Sequence, residues 1–401
     1  MNRRFVAAYT MAYAGLWAAL LPPILLGLQL RARSLDPDHA AASLSLVAGA
    51  GALVAMLANP LFGRLSDRTT SRFGMRRPWL ILGALGGAAG LAVVAWAQSI
   101  GALLLGWCFT QLACNAQLSA LAAILSDQVP PQRRGTVSGL VSLSMPVGSI
   151  MGTSLARFWA DSVAGMFLVP ALVAIVTAVW LAWVLPDRVL LRAKTPALRI
   201  GEFFMLWVAP LRCPDFAWVW VSRFLLMTSV AVMMTYQVFF LLHQHGRQAA
   251  EIPQLILGIT LAQSGAVAIT SVLSGRLSDV FRRRKIFICA AASIHAVAML
   301  TIALAATYPQ FLLGAAVAGA GMGAYFAVDF ALAVDVLPNR ETHAAANLGI
   351  FNIASAMPQS IAPALGSAVL FAGGDYTSLF AIAAVFSVAS ALTIGRVRAE
   401  R

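Results

Sequence analysis

The chain has 401 residues, 60% hydrophobic and only 11% charged, with a formal net charge of +13. A soluble domain carries about 25% charged residues, so this composition excludes an ordinary soluble protein and points to the lipid bilayer. The basic residues fall in short loops between apolar runs, which argues against a nucleic-acid partner. The four cysteines and five histidines form no disulfide framework, metal-ligand spacing or nucleophile–base pair, so no metal, cofactor or enzymatic centre is expected.

Twelve apolar runs predict membrane helices at about 5–30, 42–62, 79–97, 101–126, 136–160, 163–185, 215–242, 253–274, 286–305, 309–334, 344–371 and 376–395. The first is too long for a signal peptide and reads as an uncleaved span. It carries Tyr9, Tyr13 and Trp17 on one helical face, either as an aromatic wall for a substrate or as a packing face. Pro22-Pro23 predicts a kink. Span 2 ends in Gly63-Arg64-Leu65-Ser66-Asp67, followed by Arg68, Arg72, Arg76 and Arg77. Span 4 aligns Trp107, Gln111, Asn115 and Ser119 at steps of four, with Gln117 just off that line. An unpaired amide in hydrocarbon costs several kcal/mol, so this stripe faces either a pore or another helix. Span 5 is rich in small residues (Gly139, Gly148, Gly152) beside Pro146.

A basic stretch, 186–214, joins span 6 to span 7, where Asp215 is the expected helix cap. Span 7 holds Arg223 and, further along, Tyr236 and Gln237. Span 8 ends in a second Gly275-Arg276-Leu277-Ser278-Asp279, 212 residues after the first, followed by Arg283. Span 10 contains Tyr325 and, one turn later, Asp329, the only carboxylate well inside any expected span. An acid in a membrane helix is a functional-site candidate, and burial favours a protonated form suited to proton exchange. The other reading is a structural pair with Arg223 or a capping role near the cytoplasmic end. Span 11 aligns Asn352, Ser355 and Gln359, with Pro358 and Pro363 to bend it.

The repeats divide the chain. Asp127-Gln128-Val129-Pro130 and Asp335-Val336-Leu337-Pro338 stand 208 residues apart, close to the 212 that separate the two Gly-Arg-Leu-Ser-Asp copies. The expectation is an all-α membrane protein of two six-helix halves, 1–185 and 215–401, joined by a cytoplasmic linker, 186–214. With both termini cytoplasmic, all but five of the 28 Lys/Arg fall on the cytoplasmic side. The exceptions are Arg31, Arg33, Arg157 and Arg247 outside and Arg223 within a helix. That asymmetry is an orientation signal.

These features together resemble the major facilitator superfamily over the whole chain. The loop from Ser66 through Pro78 is similar to the Ser-Asp-Arg-x-x-Ser-Arg-Phe-Gly-Arg-Arg-Arg-Pro loop of the sucrose–proton symporters, in the glycoside–pentoside–hexuronide group. Leu348 to Ala354, followed by Pro358-Gln359, resembles that group's span 11. Two departures stand out: 115–120 lacks the arginine those symporters carry in span 4, and spans 1 and 2 lack the acids of the melibiose carriers. The resemblance implies proton-driven uptake of a sugar or glycoside across the cytoplasmic (inner) membrane by alternating access. A drug or metabolite exporter of the same superfamily is the alternative, favoured by the span 5 glycines.

The expected solute liners are Tyr13, Trp17, Trp107, Gln111, Asn115, Tyr236, Gln237, Tyr325, Asn352 and Gln359. Asp329 is the expected proton carrier. Conformational gating is expected of Gly63, Asp67, Arg68, Arg72, Arg76, Arg77, Gly275, Asp279, Arg283, Asp127 and Asp335. In that reading the glycines turn the loops tightly, and the acids meet arginines or helix N-termini in one state only. The expected partners are a small solute, protons and lipid, with the protein acting as a monomer.

Overall fold

The computed structural model describes residues 3–130, 137, 140–141, 143–187, 189, 213–281, 283–336 and 344–397. For Ser126, Asp279, Phe330, Ala331, Ala333, Val334, Asp335, residues 344–350 and Asn352 it describes the backbone alone. Among the described residues every regular element is a helix: α1 (Arg3–Leu35), α2 (Ala40–Asp67), α3 (Arg77–Trp96), α4 (Ile100–Gln128), α5 (Ser144–Phe158), α6 (Val163–Val184), α7 (Pro214–His243), α8 (Ile252–Phe281), α9 (Arg284–Ala303), α10 (Tyr308–Asp335), α11 (Ala344–Phe371) and α12 (Tyr376–Ile394). All but α5 are long and apolar enough to cross a membrane. Helices satisfy their backbone groups internally, which hydrocarbon requires of any lipid-exposed span. Exposed Leu105, Trp183, Phe371 and Leu392 fit lipid contact; on a soluble monomer such surface would be an aggregation liability.

Local chemistry sets the helix ends. Ser99 and Ser162 cap α4 and α6 by accepting from the Ala102 and Gly165 amides. Asp375 caps α12 by accepting from the Ser378 amide, while Ser378 Oγ accepts from the Asp375 amide in return. The Ser378 hydrogen bonds hold the Asp375 carboxyl below the usual carboxylate range. Asp215 does not cap α7 as expected: the helix starts at Pro214, and Asp215 sits in its first turn. Proline takes the first position because its missing N–H would be unpaired there anyway. The expected bend in α1 is a π-helical turn, Pro23–Gly27, where the prolines withhold two amide donors.

The chain divides into two compact units. Unit 1 comprises Met1–Ala197 with Ala249–Leu257; unit 2 comprises Leu198–Gln248 with Gly258–Arg401. Inside unit 1, α1 packs on α5 and α6, α4 on α2 and α3, and α3 on α6. Inside unit 2, α7 packs on α11 and α12, α10 on α9, and α9 on α12. Four of the five unit 1 pairings recur in unit 2, shifted by six helices. Missing side chains allow the closest approaches. A Cβ on Gly83 would stand 2.8 Å from the Ala113 carbonyl oxygen of α4. One on Gly319 of α10 would stand 2.4 Å from the Gln263 carbonyl oxygen of α8.

Candidate functional site

Two polar clusters stand out, one in each unit. The first gathers the ends of α2, α3, α4 and α6. The Gly-Arg-Leu-Ser-Asp segment is not a loop: Gly63 to Asp67 is the last turn of α2, and nothing lies within 4 Å of where a Gly63 side chain would be. Gly275 likewise lies inside α8, in ordinary contact with Ala327. Neither glycine makes the tight turn expected of it. That role falls to Gly74, whose φ of +106° is one that L side chains rarely adopt.

Arg76 is the centre of this cluster. Its guanidinium donates to Asp67 (2.6 Å), Asp127 (2.9 Å) and Ser66 Oγ (2.6 Å), and its side chain is only 5% exposed. One Asp187 carboxylate oxygen accepts from the backbone amides of Arg76 (2.7 Å) and Arg77 (2.9 Å). The two amides lie at the start of α3, where the helix dipole also favours an anion. The Arg77 guanidinium reaches the Leu185 carbonyl, and Gln128 reaches that of Pro186 (2.9 Å). Asp67, Asp127 and Arg76 thus meet inside one unit, with Arg77 bound beside them to the Leu185 carbonyl. Arg68 is partly buried, and exposed Arg72 rests on the ring of neighbouring Phe73. Arg283 is exposed before α9. The Asp279 and Asp335 side chains lie outside the described residues.

The second cluster lies within the helices of unit 2. Arg223 on α7 forms an ion pair with Asp329 Oδ2 on α10, through Nη1. Its Nε donates to Ser355 Oγ on α11 at 2.6 Å, and its Cζ lies 4.3 Å from the centre of the Phe351 ring. The Asp329 side chain is fully buried. Its Oδ1 has no hydrogen-bond partner among the described residues. Tyr325 Oη is close to the carboxylate, with no partner in full hydrogen-bond geometry among the described residues. Bringing each of these ions out of water costs several kcal/mol, so the pair is weak evidence for stability and better evidence for a working site.

Most expected solute liners pack against helices of their own unit. Tyr13 meets Tyr9 edge-on, and Tyr9 Oη donates to the Leu121 carbonyl of α4 at 2.8 Å. Trp17 lies beside Gly148 of α5. Trp107 fills the space over Gly51 of α2. Asn115 Nδ2 donates to the Gln111 carbonyl (2.9 Å), and its Oδ1 accepts from Asn59 of α2 (3.4 Å). Tyr236 Oη donates to the Pro363 carbonyl (2.7 Å) over Gly366. Gln237 is buried, Gln359 is exposed, and the Asn352 side chain lies outside the described residues. The sequence reading gave no site role to Asp187, Ser66 or the Asn59 partner of Asn115. Of these, Ser66 inside the repeated segment and Asp187 directly after Pro186 at the end of an apolar run carried a visible signal.

Comparison with known proteins places this architecture. A sequence model described as Major Facilitator Superfamily matches residues 5–267 and 249–400. Sucrose transport protein SUC4 of Arabidopsis thaliana is 31% identical over 120 residues, covering 25% of this chain and 24% of that protein. Sucrose transport protein SUC3 of the same plant is 25% identical over 126 residues, covering 26% and 21%. The chain thus spans under a quarter of the length of these curated relatives. Among solved structures, the human organic anion transporter MFSD10 (TETRAN) is similar with a TM-score of 0.69 and 17% identity, covering 98% of this chain and 99% of that one. A bacterial homolog of the human lysosomal transporter Spinster, in an inward-facing and occupied conformation, gives 0.68 and 16%, covering 98% and 94%. These two likenesses show the fold alone.

Proposed function

The chain belongs to the Major Facilitator Superfamily, and on that premise we propose that it moves a small neutral polyhydroxylated solute, a sugar or glycoside, by proton-coupled alternating access. The observation that carries the reading is the buried Arg223–Asp329 pair with one carboxylate oxygen left open. A paired carboxylate in an apolar interior can exist in two states, ionised on Arg223 or protonated and released. Switching between two such states is what coupling requires. The solute class rests on the local similarity to the Arabidopsis sucrose transport proteins and on the sugar-symporter pattern from Ser66 to Pro78. The lipid surface in this reading is the cytoplasmic membrane with both termini inside, which the basic loops support.

In this reading Asp329 takes the proton, Arg223 is its counter-charge, and the Arg76 cluster sets the shape of one end of unit 1. Gly148 and Gly152, which favour the exporter alternative, serve close packing here: they accept the backbone of α1 at Ala14 and Ala18. The test is thermal unfolding of the detergent-purified protein against mono- and disaccharides, glycosides and lipophilic cations. A true ligand at 100 times its dissociation constant stabilises by about 2.7 kcal/mol. A shift with one sugar class supports the reading; shifts with cations alone overturn the solute class.

A further inference from the structure

We infer that Ser355 is a positioning residue that keeps the Arg223–Asp329 pair one-sided, and so holds Asp329 Oδ1 open to a proton. The inference rests on the proton-coupled reading above. An arginine and a carboxylate left to themselves favour a two-pronged pair, with two parallel N–H···O bonds. Here the guanidinium is turned away from that geometry. Nη1 serves Asp329 Oδ2, while Nε is committed to Ser355 Oγ at 2.6 Å. The Phe351 ring, 4.3 Å from Cζ, supports the guanidinium from the same helix. Asp329 Oδ1 is left buried and unpartnered. The charged or titratable groups facing this carboxylate among the described residues are Arg223 from α7 and Tyr325 from its own helix. Neither places a donor in hydrogen-bond geometry on Oδ1.

The consequence is directional. Without the Ser355 hydroxyl, Nε loses its acceptor, and the guanidinium can rotate to hold both carboxylate oxygens. The ionised pair then gains a second charge-assisted hydrogen bond, and a proton must displace more to bind. Protonation of Asp329 therefore moves to lower pH in Ser355→Ala. Because α11 supplies both Ser355 and Phe351, it keeps Arg223 when protonation frees Asp329. The charge state of α10 is thereby converted into which helix Arg223 holds.

The experiment is infrared difference spectroscopy of the full-length protein in lipid, titrated with acid. The protonated-carboxyl stretch is assigned by its loss in Asp329→Asn. The inference expects the midpoint of that band to fall by about one pH unit in Ser355→Ala and to return in Ser355→Thr, which restores the hydroxyl. An unchanged or alkaline-shifted midpoint in Ser355→Ala overturns the inference and leaves proton coupling standing. A band that never appears in the wild-type protein overturns both. A band that shifts as expected, in a protein whose transport ignores the proton gradient, sinks the coupling reading alone.

Discussion

Among the described residues, which leave out the side chains of Asp279 and Asp335, the two units place their arginine–carboxylate pairs differently. In unit 1 the ions lie at the helix ends, where Arg76 ties the last turns of α2 and α4, and Asp187 after α6 binds the start of α3. In unit 2 they lie within the helices, where Arg223 joins α7 to α10 and α11. The 208-residue offset that sets Asp127 against Asp335 also sets Leu121 against Asp329. At the matching crossing of α1 and α4, unit 1 has Tyr9 donating to the backbone carbonyl of Leu121. A tyrosine on a carbonyl is neutral and has no proton to trade near neutral pH. An arginine on a carboxylate can be switched by one. The same architecture thus carries a fixed joint in one half and a chargeable joint in the other.

The comparison breaks most sharply at Arg223. Arg223→Met leaves Asp329 as an uncompensated buried charge, so a loss of about 3–5 kcal/mol is expected in thermal or denaturant unfolding. The double variant with Asp329→Asn removes that charge as well and should recover most of the loss. Tyr9→Phe, the matching change in unit 1, removes one neutral hydrogen bond and should cost only about 1 kcal/mol. Equal losses at the two positions would erase the distinction between the joints.

The end cluster of unit 1 is expected to give intermediate effects. Arg76→Gln should cost about 2 kcal/mol, more than a surface ion pair and less than a fully buried one, because Asp67 is 53% exposed. Gly74→Ala should cost about 1–2 kcal/mol, since the residue needs positive φ and a Cβ would stand 2.2 Å from the Asp187 carboxylate oxygen. Both are read as shifts in melting temperature, and sensitivity at Gly74 but not at Gly63 would confirm which glycine shapes the segment.

The smallest effect is expected at Asp375. Losing this cap of α12 in Asp375→Ala costs about 1 kcal/mol or less. Its carboxyl titrates below the ordinary range because Ser378 hydrogen-bonds the ionised form. The cap's contribution is therefore present above the ordinary carboxylate range and fades as pH falls through the lowered value. Acid melting curves of wild type and variant should converge there.

The helices were legible because hydrocarbon tolerates few alternatives: a run of about 20 apolar residues has to be helical. Arg223 and Asp329 were legible for the same reason, as ions in expected spans, and their pairing was one of two readings. The turn glycine was misread. A repeated motif drew the eye to Gly63, yet only backbone geometry reveals that Gly74 has positive φ. Asp187 was visible as an acid after Pro186, but its role was hidden because its partners are backbone amides more than 100 residues away, which no side-chain pattern encodes. The polar stripe of α4 illustrates a different limit. Spacing put Trp107, Gln111 and Asn115 on one face, but whether that face meets water or α2 depends on packing. Gly51 and Asn59 on α2 supply the packing partners.

The most direct measurement of proton coupling is solute accumulation by Asp329→Asn in proteoliposomes, with radiolabelled sucrose or whichever sugar shifts the melting curve. The account predicts that wild-type protein accumulates the sugar uphill on an imposed proton gradient, while the variant exchanges it across the membrane without accumulating it. Accumulation by the variant equal to that of the wild type would contradict the account.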